Sequence, residues 1–504
     1  MLKCVIAPAW RQEAKASSKQ DIGKTLAMEA TVKEFADQIL GRALQAGAVF
    51  AELGQAETDR IVDAVHKAAF NQRVRLARMA NEETGMGRWE DKVLKNVVAS
   101  QLVYEDIKGL KTAGVISEDF ESGITEIAQP VGPILAVIPV TNPTSTVIFK
   151  ILISLKARNP IIICPSGKAI RCCAETARIC YEAALAAGAP EECIQWLNET
   201  SREQTQALMS HKALALILAT GGTGLVKSAY SSGTPTLGVG AGNVPVFIDA
   251  SADIPFSVSQ ILVSKLFDYG TICASEQAIV VEAAIAESVR EEFKRQGAYF
   301  LSPEETAKLE AVAFDAAKGA MKPDVVGQSA AVIAQKAGIA APAEVQILVA
   351  PMTGVGEKYP LSAEILAPIL AFYVEPSFGD AVNRCIDLNF FGGIGHTVSL
   401  YANDEARIKE FALLMNAGRI VVNTPSSQGA VGGIFNRLSP SFTLGCGTGG
   451  KNITTDNVTA RHLVNIQRVA RRRDNQRFTR FDAALYLDES LDADAIDQMF
   501  NRNY

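Results

Sequence analysis

The sequence predicts an α/β fold built on a doubly wound parallel sheet, followed by a second α/β segment. Between about residues 129 and 270, short and continuously apolar runs follow one another, and helix-like stretches separate them. Strands of a parallel sheet are buried on both faces, so they read as unbroken apolar runs, and a helix connects each strand to the next. The runs are PILAVIPV, PIIIC, CIQWL, ALALILA and PVFID.

The chain that precedes this sheet is predicted to be helical. Residues 1–28 are polar and without periodicity, so we expect a flexible extension there. The apolar stripe that follows is usually a packing face, and the alternative is a short helix that targets the chain to a protein shell or partner. The stripe consists of Val32, Phe35, Ile39, Ala43 and Leu44.

These patterns divide the chain into four predicted parts. Residues 1–28 form the extension, and residues 29–270 form N-terminal helices with a Rossmann-like nucleotide-binding domain. Residues 271–465 form a second α/β domain, with strand-like runs such as AIVVE, APILAFYV, HTVSLYA and RIVVN. Residues 466–504 form a charged C-terminal segment, for which we expect a part in oligomerisation.

Composition excludes several classes of function. The 504 residues carry a net charge of -6, which gives no general attraction to nucleic acid or anionic lipid. Neither a membrane-spanning run nor a signal peptide is recognisable, so we expect a cytoplasmic protein with no membrane partner. The nine cysteines include no CxxC pair and the four histidines stand far apart, so we expect reduced thiols and no metal site.

One cysteine, Cys273, lies in a setting suited to chemistry. It belongs to FDYGTICASEQ, residues 267–277, between a predicted helix end and a strand, and Gly270 loosens the turn before it. A thiol in that position can face a cleft between two domains. A free cysteine is more often buried and inert, and we expect this of the other eight.

Eight blocks of sequence carry a resemblance to a known family. In chain order they are IPVTNPTSTVIFK, ILATGGTG, GVGAGNVPVFID, FDYGTICASEQ, SAEILAPIL, GGIGHT, VNTP and SFTLGCGTGG. Together they resemble the aldehyde dehydrogenase superfamily, most closely its CoA-acylating branch, which includes the aldehyde dehydrogenase half of bifunctional aldehyde-alcohol dehydrogenases. The resemblance covers roughly residues 30–470. It implies an aldehyde dehydrogenase-like fold, with a catalytic domain after the nucleotide-binding domain, and a homo-oligomer, either a dimer or a tetramer.

By this resemblance, Cys273 is the nucleophile of the catalytic domain. Its thiolate adds to the aldehyde carbon, and the oxyanion that forms needs hydrogen-bond donors. Asn142 matches the family's asparagine for that task and would act together with the backbone N–H of Cys273. Alternatively, Asn142 is only a turn residue before Pro143. Loss of hydride to a nicotinamide then leaves a thioester on Cys273.

The residue that would hydrolyse this thioester is missing from the pattern. Hydrolytic members of the superfamily activate water with a glutamate in an ELGGK-type motif, and the matching stretch VGAGN has Val239 in its place. A valine accepts no proton, whereas attack by a thiol needs less help from a base. The resemblance therefore implies an acyl-CoA product with coenzyme A as co-substrate. The alternatives are hydrolytic oxidation to a carboxylate and an inactive scaffold subunit.

A site for the dinucleotide is predicted at TGGTG. This stretch follows a predicted strand and opens a helix, so the N–H groups of Gly221, Gly222 and Thr223 are expected to meet the pyrophosphate. Alternatively, the glycines serve only a tight turn. The glycines of GVGAG lie between strands and do not form a phosphate loop. Glu364 matches the family's glutamate that holds the nicotinamide ribose. Further candidates for this site are Thr141, Pro165, Ser166, Thr220 and Gly240.

The choice of nicotinamide depends on the site for the adenosine ribose. Many relatives read KPxE there, and this chain reads CPSG, with Gly167 in place of the glutamate. A carboxylate that repels a 2′-phosphate is thus absent from the motif. NAD is the first choice by resemblance, and NADP is the alternative.

The substrate implied by the resemblance is a short aldehyde, such as acetaldehyde or sulfoacetaldehyde. Candidates for contact with the aldehyde or with CoA are His396, Thr271, Ile272 and Cys446. The 504 residues leave no room for the iron-dependent alcohol dehydrogenase half of the bifunctional relatives. We therefore expect the reductive direction to stop at the aldehyde.

Overall fold

The N-terminal part of the chain is helical and ends in a β-hairpin. The computed structural model describes residues 10–199, 201–315, 319–480 and 482–503. Residues 1–9 of the expected N-terminal extension lie outside the described residues, and residues 10–28 belong to the first helix. The predicted domain boundary at residue 28 stays a prediction. The elements are α1 (Trp10–Glu52), α2 (Gln55–Asn71), α3 (Arg73–Thr84), α4 (Trp89–Val97), α5 (Val103–Ile107), β1 (Gly114–Asp119) and β2 (Ile124–Pro130).

The apolar stripe on α1 is a packing face. Ile39 and Ala43 are buried in a core that also contains Leu135 and Ile162 of the first parallel sheet. Leu44, which the spacing assigns to the same stripe, is 49% exposed. The stripe is therefore narrower than the sequence predicts, because successive buried positions on α1 keep to one side of the helix.

The first sheet is doubly wound and wholly parallel, as predicted. Its strand order is β5-β4-β3-β6-β7, and apolar clusters cover both faces. The order reverses between β3 and β6, and ligands of such sheets bind beyond the carboxyl ends of the strands at this switch point. The elements are β3 (Ile134–Ile138), α6 (Pro143–Lys156), β4 (Ile161–Pro165), α7 (Ile170–Ala186), β5 (Ile194–Trp196), α8 (Arg202–Met209), β6 (Leu216–Thr220), α9 (Thr223–Tyr230) and β7 (Thr236–Val239).

The second sheet has seven parallel strands in the order β10-β13-β14-β9-β8-β15-β16. Apolar clusters again cover its two faces. The elements are β8 (Val244–Ile248), α10 (Ile254–Leu266), β9 (Glu276–Glu282), α11 (Ala286–Arg295), β10 (Ala298–Phe300), α12 (Pro303–Ala313), β11 (Phe314–Asp315), β12 (Ala320–Met321), α13 (Ala330–Ala337), β13 (Ile347–Pro351), β14 (Ile369–Glu375), α14 (Phe378–Gly392), β15 (Gly395–Tyr401), α15 (Glu405–Leu414), β16 (Ala417–Val422) and α16 (Ser426–Val431). The predicted fold class, a doubly wound parallel sheet followed by a second α/β domain, is confirmed.

The predicted boundary between the two sheets is misplaced. The run PVFID was assigned to the first sheet, but β8 pairs with β9 and β15 of the second. The chain therefore crosses between sheets in the glycine-rich stretch between Val239 and Val244, instead of at residue 270. A continuous apolar run shows that a strand is buried on both faces, but it does not show which strands are its neighbours.

A small antiparallel sheet pairs the hairpin that precedes the first parallel sheet with a strand near the C-terminal end of the chain. Its order is β1-β2-β17, where β17 is Val464–Ala470, and it is followed by α17 (Gln476–Thr479) and α18 (Ala493–Asn503). Buried Arg158 ties this sheet to the helices, since its guanidinium donates to the carbonyl oxygens of Ala51, Leu53 and Ala128. Among the described helices, none is both long and apolar enough to cross a membrane.

Candidate functional site

A cleft of about 1430 Å³ lies beyond the carboxyl ends of the first sheet. It is lined by the segments that follow β3, β4, β6 and β7, and on the opposite side by the segments around Cys273 and Glu364. Most of the predicted site residues lie on its wall, although the sequence spreads them over more than two hundred positions. They are Thr141, Asn142, Pro165, Ser166, Thr220, Gly221, Gly222, Thr223, Gly240, Thr271, Cys273 and Glu364.

Cys273 is carried by an unusual turn between α10 and β9. The three residues Asp268, Tyr269 and Gly270 have φ values of 50°, 52° and 73°, so the chain stays left-handed over three successive positions. Only glycine adopts this conformation without strain, and a surrounding structure must hold the other two residues in it. The turn directs the thiol into the cleft, and Cys273 is the one partly exposed residue among the eight cysteines in the described ranges.

The Cys273 thiol is protonated at neutral pH in this structure. Burial raises its pKa to about 12; the nearby carboxyl group of Glu364 also raises it, and the guanidinium of Arg419 opposes this effect. A group with a raised pKa keeps its proton until the pH exceeds that value. A role as nucleophile would therefore require a bound ligand that supplies positive charge or takes the proton.

Gly242 brings Cys273 and Glu364 together. The N–H of Gly242 donates to Oε1 of Glu364 at 2.9 Å. A Cβ placed on Gly242 would lie 2.4 Å from the carbonyl oxygen of Cys273, so only glycine fits at this crossing of two backbones. Burial raises the pKa of Glu364 to about 7, and the Gly242 N–H and the ammonium of Lys265 oppose the increase. The GVGAG stretch thus has a steric role that its spacing alone did not reveal.

Asn142 lies at the N-terminus of α6, opposite the Cys273 turn. It is the N-cap residue before Pro143, but its side chain makes no capping hydrogen bond. Instead, its Nδ2 donates to the carbonyl oxygen of Thr271 at 3.2 Å and to Oγ1 of Thr141 at 3.0 Å. The amide is therefore directed toward the Cys273 segment, which favours the predicted donor role over that of a simple turn residue.

The loop after β6 fits the pyrophosphate of a dinucleotide. Gly222 is the N-cap of α9, and nothing lies within 4 Å of a Cβ placed on Gly222 or on Gly240, so open space adjoins both backbones. Oγ1 of Thr220 is buried and has no hydrogen-bond partner. The N–H groups of Gly222 and Thr223 at the helix start and the unsatisfied hydroxyl are what an anionic ligand would satisfy, whereas the N–H of Gly221 donates to the carbonyl oxygen of Val239 at 3.3 Å. The residues present are thus compatible with a nicotinamide dinucleotide.

Pro165 and Ser166 line the cleft together with Arg202 and Thr205 of α8. The only carboxyl groups among the described lining residues belong to Glu357 and Glu364. The sequence-based expectation for the adenosine-ribose site, where Gly167 replaces a glutamate, stays a prediction.

The candidate contacts for aldehyde or CoA are not all on the cleft wall. Thr271 lines the cleft, whereas Ile272 is buried in an apolar cluster and Cys446 is buried against the carbonyl oxygen of Leu444. His396 is also buried, and its Nδ1 lies 2.9 Å from Oγ1 of Thr397. Its Nε2 has no partner, and the neighbouring Cδ2 lies 3.3 Å from a Cβ placed on Gly242. Roles for these residues stay predictions. In the described ranges, no group of three or more metal-ligating side chains is present.

A buried ion cluster beneath Asn142 was missed by sequence reasoning. Asp268 is fully buried and accepts hydrogen bonds from the ammonium groups of Lys92 and Lys95, while Lys95 also bonds to Asn142. The three-residue spacing of the lysines in DKVLK places both on one face of α4, which is the available signal. Lysines are almost always solvated, so burial of two of them is not expected from sequence.

Two wound α/β sheets share a cleft, which has a dinucleotide-compatible loop on one side and Cys273 on the other. This arrangement is that of an oxidoreductase with a cysteine in its site. Residues 14–436 match the aldehyde dehydrogenase family. The chain belongs to this family, and the resemblance found in the sequence is confirmed.

Similar proteins include bifunctional aldehyde-alcohol dehydrogenases and acetylating aldehyde dehydrogenases. The bifunctional aldehyde-alcohol dehydrogenase AdhE of Escherichia coli K12 is 45% identical over 452 residues, which are 89% of this chain and 50% of that protein. The chain thus spans about half the length of this curated relative. The crystal structure of an acetylating aldehyde dehydrogenase from Geobacillus thermoglucosidasius has a TM-score of 0.86 and 48% identity, covering 89% of this chain and 98% of that chain.

A third similar protein has ligands. The propionaldehyde dehydrogenase of Rhodopseudomonas palustris was solved with bound CoA and an acylated cysteine. Its TM-score is 0.78 and its identity is 27%, covering 86% of this chain and 97% of that chain.

Replacement of Gly242 by alanine tests the close backbone crossing. Because the new Cβ would collide with the Cys273 carbonyl, Gly242→Ala should displace the nucleophile and lower kcat at least roughly 10-fold, since a displacement of about 1 Å can cost 10²-fold. Gly41→Ala is the control, because nothing lies within 4 Å of its Cβ. Full activity of Gly242→Ala, with unchanged thermal stability, would show that the crossing does not position Cys273.

Proposed function

We propose that this protein is a CoA-acylating aldehyde dehydrogenase, which converts an aldehyde, CoA and NAD(P)⁺ into acyl-CoA, NAD(P)H and a proton. One observation carries the proposal. Cys273 and Val239 line the same cleft, and the valine stands where hydrolytic members of the family have the glutamate that activates water. A cleft with a nucleophilic thiol and no such base favours release of the acyl group to a second thiol.

The first half of the reaction builds a thioester on Cys273. The sulfur adds to the aldehyde carbon while the thiol proton leaves, and Nδ2 of Asn142 and the backbone N–H of Cys273 stabilise the oxyanion. One N–H of Asn142 would turn for this purpose from Thr271 or Thr141 toward the substrate, as is common when a ligand arrives. A nicotinamide bound in the cleft would accept the hydride from the same carbon, and loss of that hydride would re-form the carbonyl as a thioester on Cys273.

The second half of the reaction transfers the acyl group to CoA. The CoA thiol loses its proton and attacks the thioester carbon, and the Cys273 sulfur leaves and is reprotonated. His396 is suited to orient the incoming thiol, since burial and the nearby Arg419 lower the pKa of its imidazole to about 3 and keep the ring neutral. A neutral ring with an unpartnered Nε2 can accept the S–H hydrogen bond. The CoA complex of the Rhodopseudomonas palustris relative supports CoA as the acceptor.

We propose NAD as the nicotinamide, with NADP also accepted. The argument for NADP is electrostatic, since Gly167 stands where many relatives have a glutamate that would repel a 2′-phosphate, and Arg202 is among the residues that line the cleft. Arg202 is exposed, so its contribution to binding is screened by solvent and salt. The ratio of kcat/KM for the two cofactors measures this preference directly.

For the aldehyde we propose a short neutral substrate such as acetaldehyde. An anionic aldehyde such as sulfoacetaldehyde would need a cation in the cleft near Cys273, and the one basic side chain among the described lining residues is that of Arg202 on α8. Arg419 is buried behind the cleft instead of lining it. A neutral aldehyde therefore meets less electrostatic repulsion than an anionic one.

Product analysis tests the proposed reaction. With acetaldehyde and either nicotinamide, formation of NAD(P)H beyond one equivalent per active site should require CoA, and acetyl-CoA should accumulate in equal amount. Cys273→Ala should abolish the reaction, and Cys385→Ala, which changes a buried thiol elsewhere, should not. Continuous NAD(P)H formation without CoA, at the full rate and with free acetate as product, would contradict the acylating assignment.

Replacement of His396 separates the two half-reactions. His396→Ala should leave the first-turnover burst of NADH nearly unchanged and slow the CoA-dependent steady state roughly 10- to 100-fold, since positioned proton acceptors contribute on this scale. His211→Ala is the control, because His211 pairs with Asp37 on the surface. An equal loss in burst and steady state would show that His396 does not act on CoA.

A further inference from the structure

Lys95 makes three hydrogen bonds from a fully buried position. Its ammonium donates to Oδ1 of Asn142 at 2.5 Å, to Oγ1 of Thr271 at 3.0 Å and to Oδ2 of Asp268. These acceptors come from α6 and from the Cys273 turn, whereas Lys95 belongs to α4. One side chain therefore connects the predicted oxyanion donor with the segment that carries the predicted nucleophile.

The bond to Asn142 decides which way the amide faces. An ammonium group only donates, so the atom of Asn142 that it meets must be the oxygen. The NH2 group is then left on the other branch of the amide, where it already reaches the carbonyl oxygen of Thr271, two residues before Cys273. Without the Lys95 ammonium, the Asn142 amide could flip. Its carbonyl oxygen would then face the developing oxyanion, and the two oxygens would repel each other.

The same bond strengthens the donor. A positive charge at 2.5 Å from Oδ1 withdraws electron density from the amide, and hydrogen bonds in such a chain reinforce one another in a low-dielectric interior. The strengthened N–H donor of Asn142 lies where negative charge develops during thiol addition. It therefore stabilises the transition state more than the bound aldehyde.

Asp268 holds Lys95 in place and keeps it charged. Burial lowers the pKa of Lys95 to about 8, and the carboxylate of Asp268 opposes this decrease, so the ammonium form persists at neutral pH. Asp268 itself also accepts from Lys92 at 2.9 Å and from the backbone N–H of Arg88 at 2.7 Å. A Cβ placed on Gly87 would lie 1.9 Å from Oδ1 of Asp268, so a glycine is needed where α4 begins to close over the carboxylate.

We infer that Lys95 is a positioning residue for the reaction, which orients and polarises the Asn142 amide so that its NH2 group meets the oxyanion formed on Cys273. The inference rests on the proposed function, because it assigns Lys95 a role in the same thiol addition. It concerns the chemical step and not the binding of either cofactor.

Lys92 provides a matched control within the same cluster. Both lysines belong to α4, both are buried and both donate to Oδ2 of Asp268. Lys92, however, reaches the backbone carbonyl of Thr141 instead of the Asn142 side chain. Replacing either lysine by methionine removes one ammonium from the same carboxylate. The two variants differ in the other bonds that are lost, to Asn142 and Thr271 for Lys95 and to the Thr141 carbonyl for Lys92, and the Asn142→Ala background isolates the contact with Asn142.

The experiment compares the rate of first-turnover NADH formation in Lys95→Met and Lys92→Met. Lys95→Met should be slowed roughly 10- to 100-fold, within the range for an impaired oxyanion donor, with nicotinamide Kd and aldehyde KM unchanged within about 3-fold. Lys92→Met should stay within about 3-fold of the unaltered protein. In an Asn142→Ala background, Lys95→Met should cause no further loss, because the group on which it acts is gone.

The results distinguish a positioning role of Lys95 from a purely structural one. If Lys95→Met and Lys92→Met lose activity equally, or if Lys95→Met still loses activity in the Asn142→Ala background, Lys95 has only a structural role. If Lys95→Met does not fold, Lys95→Gln is judged by the same criteria. If the unaltered protein reduces neither nicotinamide with any short aldehyde, the proposed function is wrong, and the role inferred for Lys95 is wrong as well.

Discussion

The site depends on one buried carboxylate, that of Asp268. It lies inside the left-handed turn that presents Cys273, and it is neutralised by two ammonium groups from α4. A buried charge without partners would be strongly destabilising, so the turn and α4 must remain together for the fold to persist. This constraint gives the cysteine a defined position between two sheets, and through Lys95 it extends to Asn142 on a third segment.

The second constraint is the lack of space around Cys273. The carbonyl oxygen of Cys273 is crossed by the backbone at Gly242, which also donates to Glu364. The stretch that makes this crossing is the one that hydrolytic relatives use to supply their base. In this chain it contributes Val239, an apolar side chain, to the cleft. The same short connection between the two sheets therefore shapes the surroundings of Cys273 and, in the proposed reaction, provides no base to activate water.

Much of the architecture can be predicted from the sequence because it depends on local patterns of apolar residues and glycines. Apolar runs such as PIIIC predict strands of a parallel sheet, and TGGTG predicts the start of α9 after β6, as observed. The site residues on these elements converge because strand ends of parallel sheets meet at one edge. The family motifs add Asn142 and Glu364, which local pattern alone would class as a turn residue and a surface charge.

Other features depend on contacts that a sequence does not encode locally. The run PVFID gives no sign that β8 pairs with the second sheet, since burial on both faces is the same in either sheet. Burial of Lys95 is equally hidden, because its counter-charge lies 173 residues away. Gly242 resembles a phosphate-loop glycine in spacing, and only the approach of the Cys273 carbonyl explains it.

The most direct measurement of the central claim is to locate the acyl group. The protein is incubated with acetyl-CoA and no nicotinamide, so that the acyl transfer runs in reverse and stops, and peptides are then analysed by mass spectrometry. The account predicts one acetyl group on the peptide containing Cys273 and none after Cys273→Ala. An acetyl group on another residue, such as Cys446, would contradict this assignment. Protein that carries no acetyl group, under conditions where CoA exchange is observed, would contradict it as well.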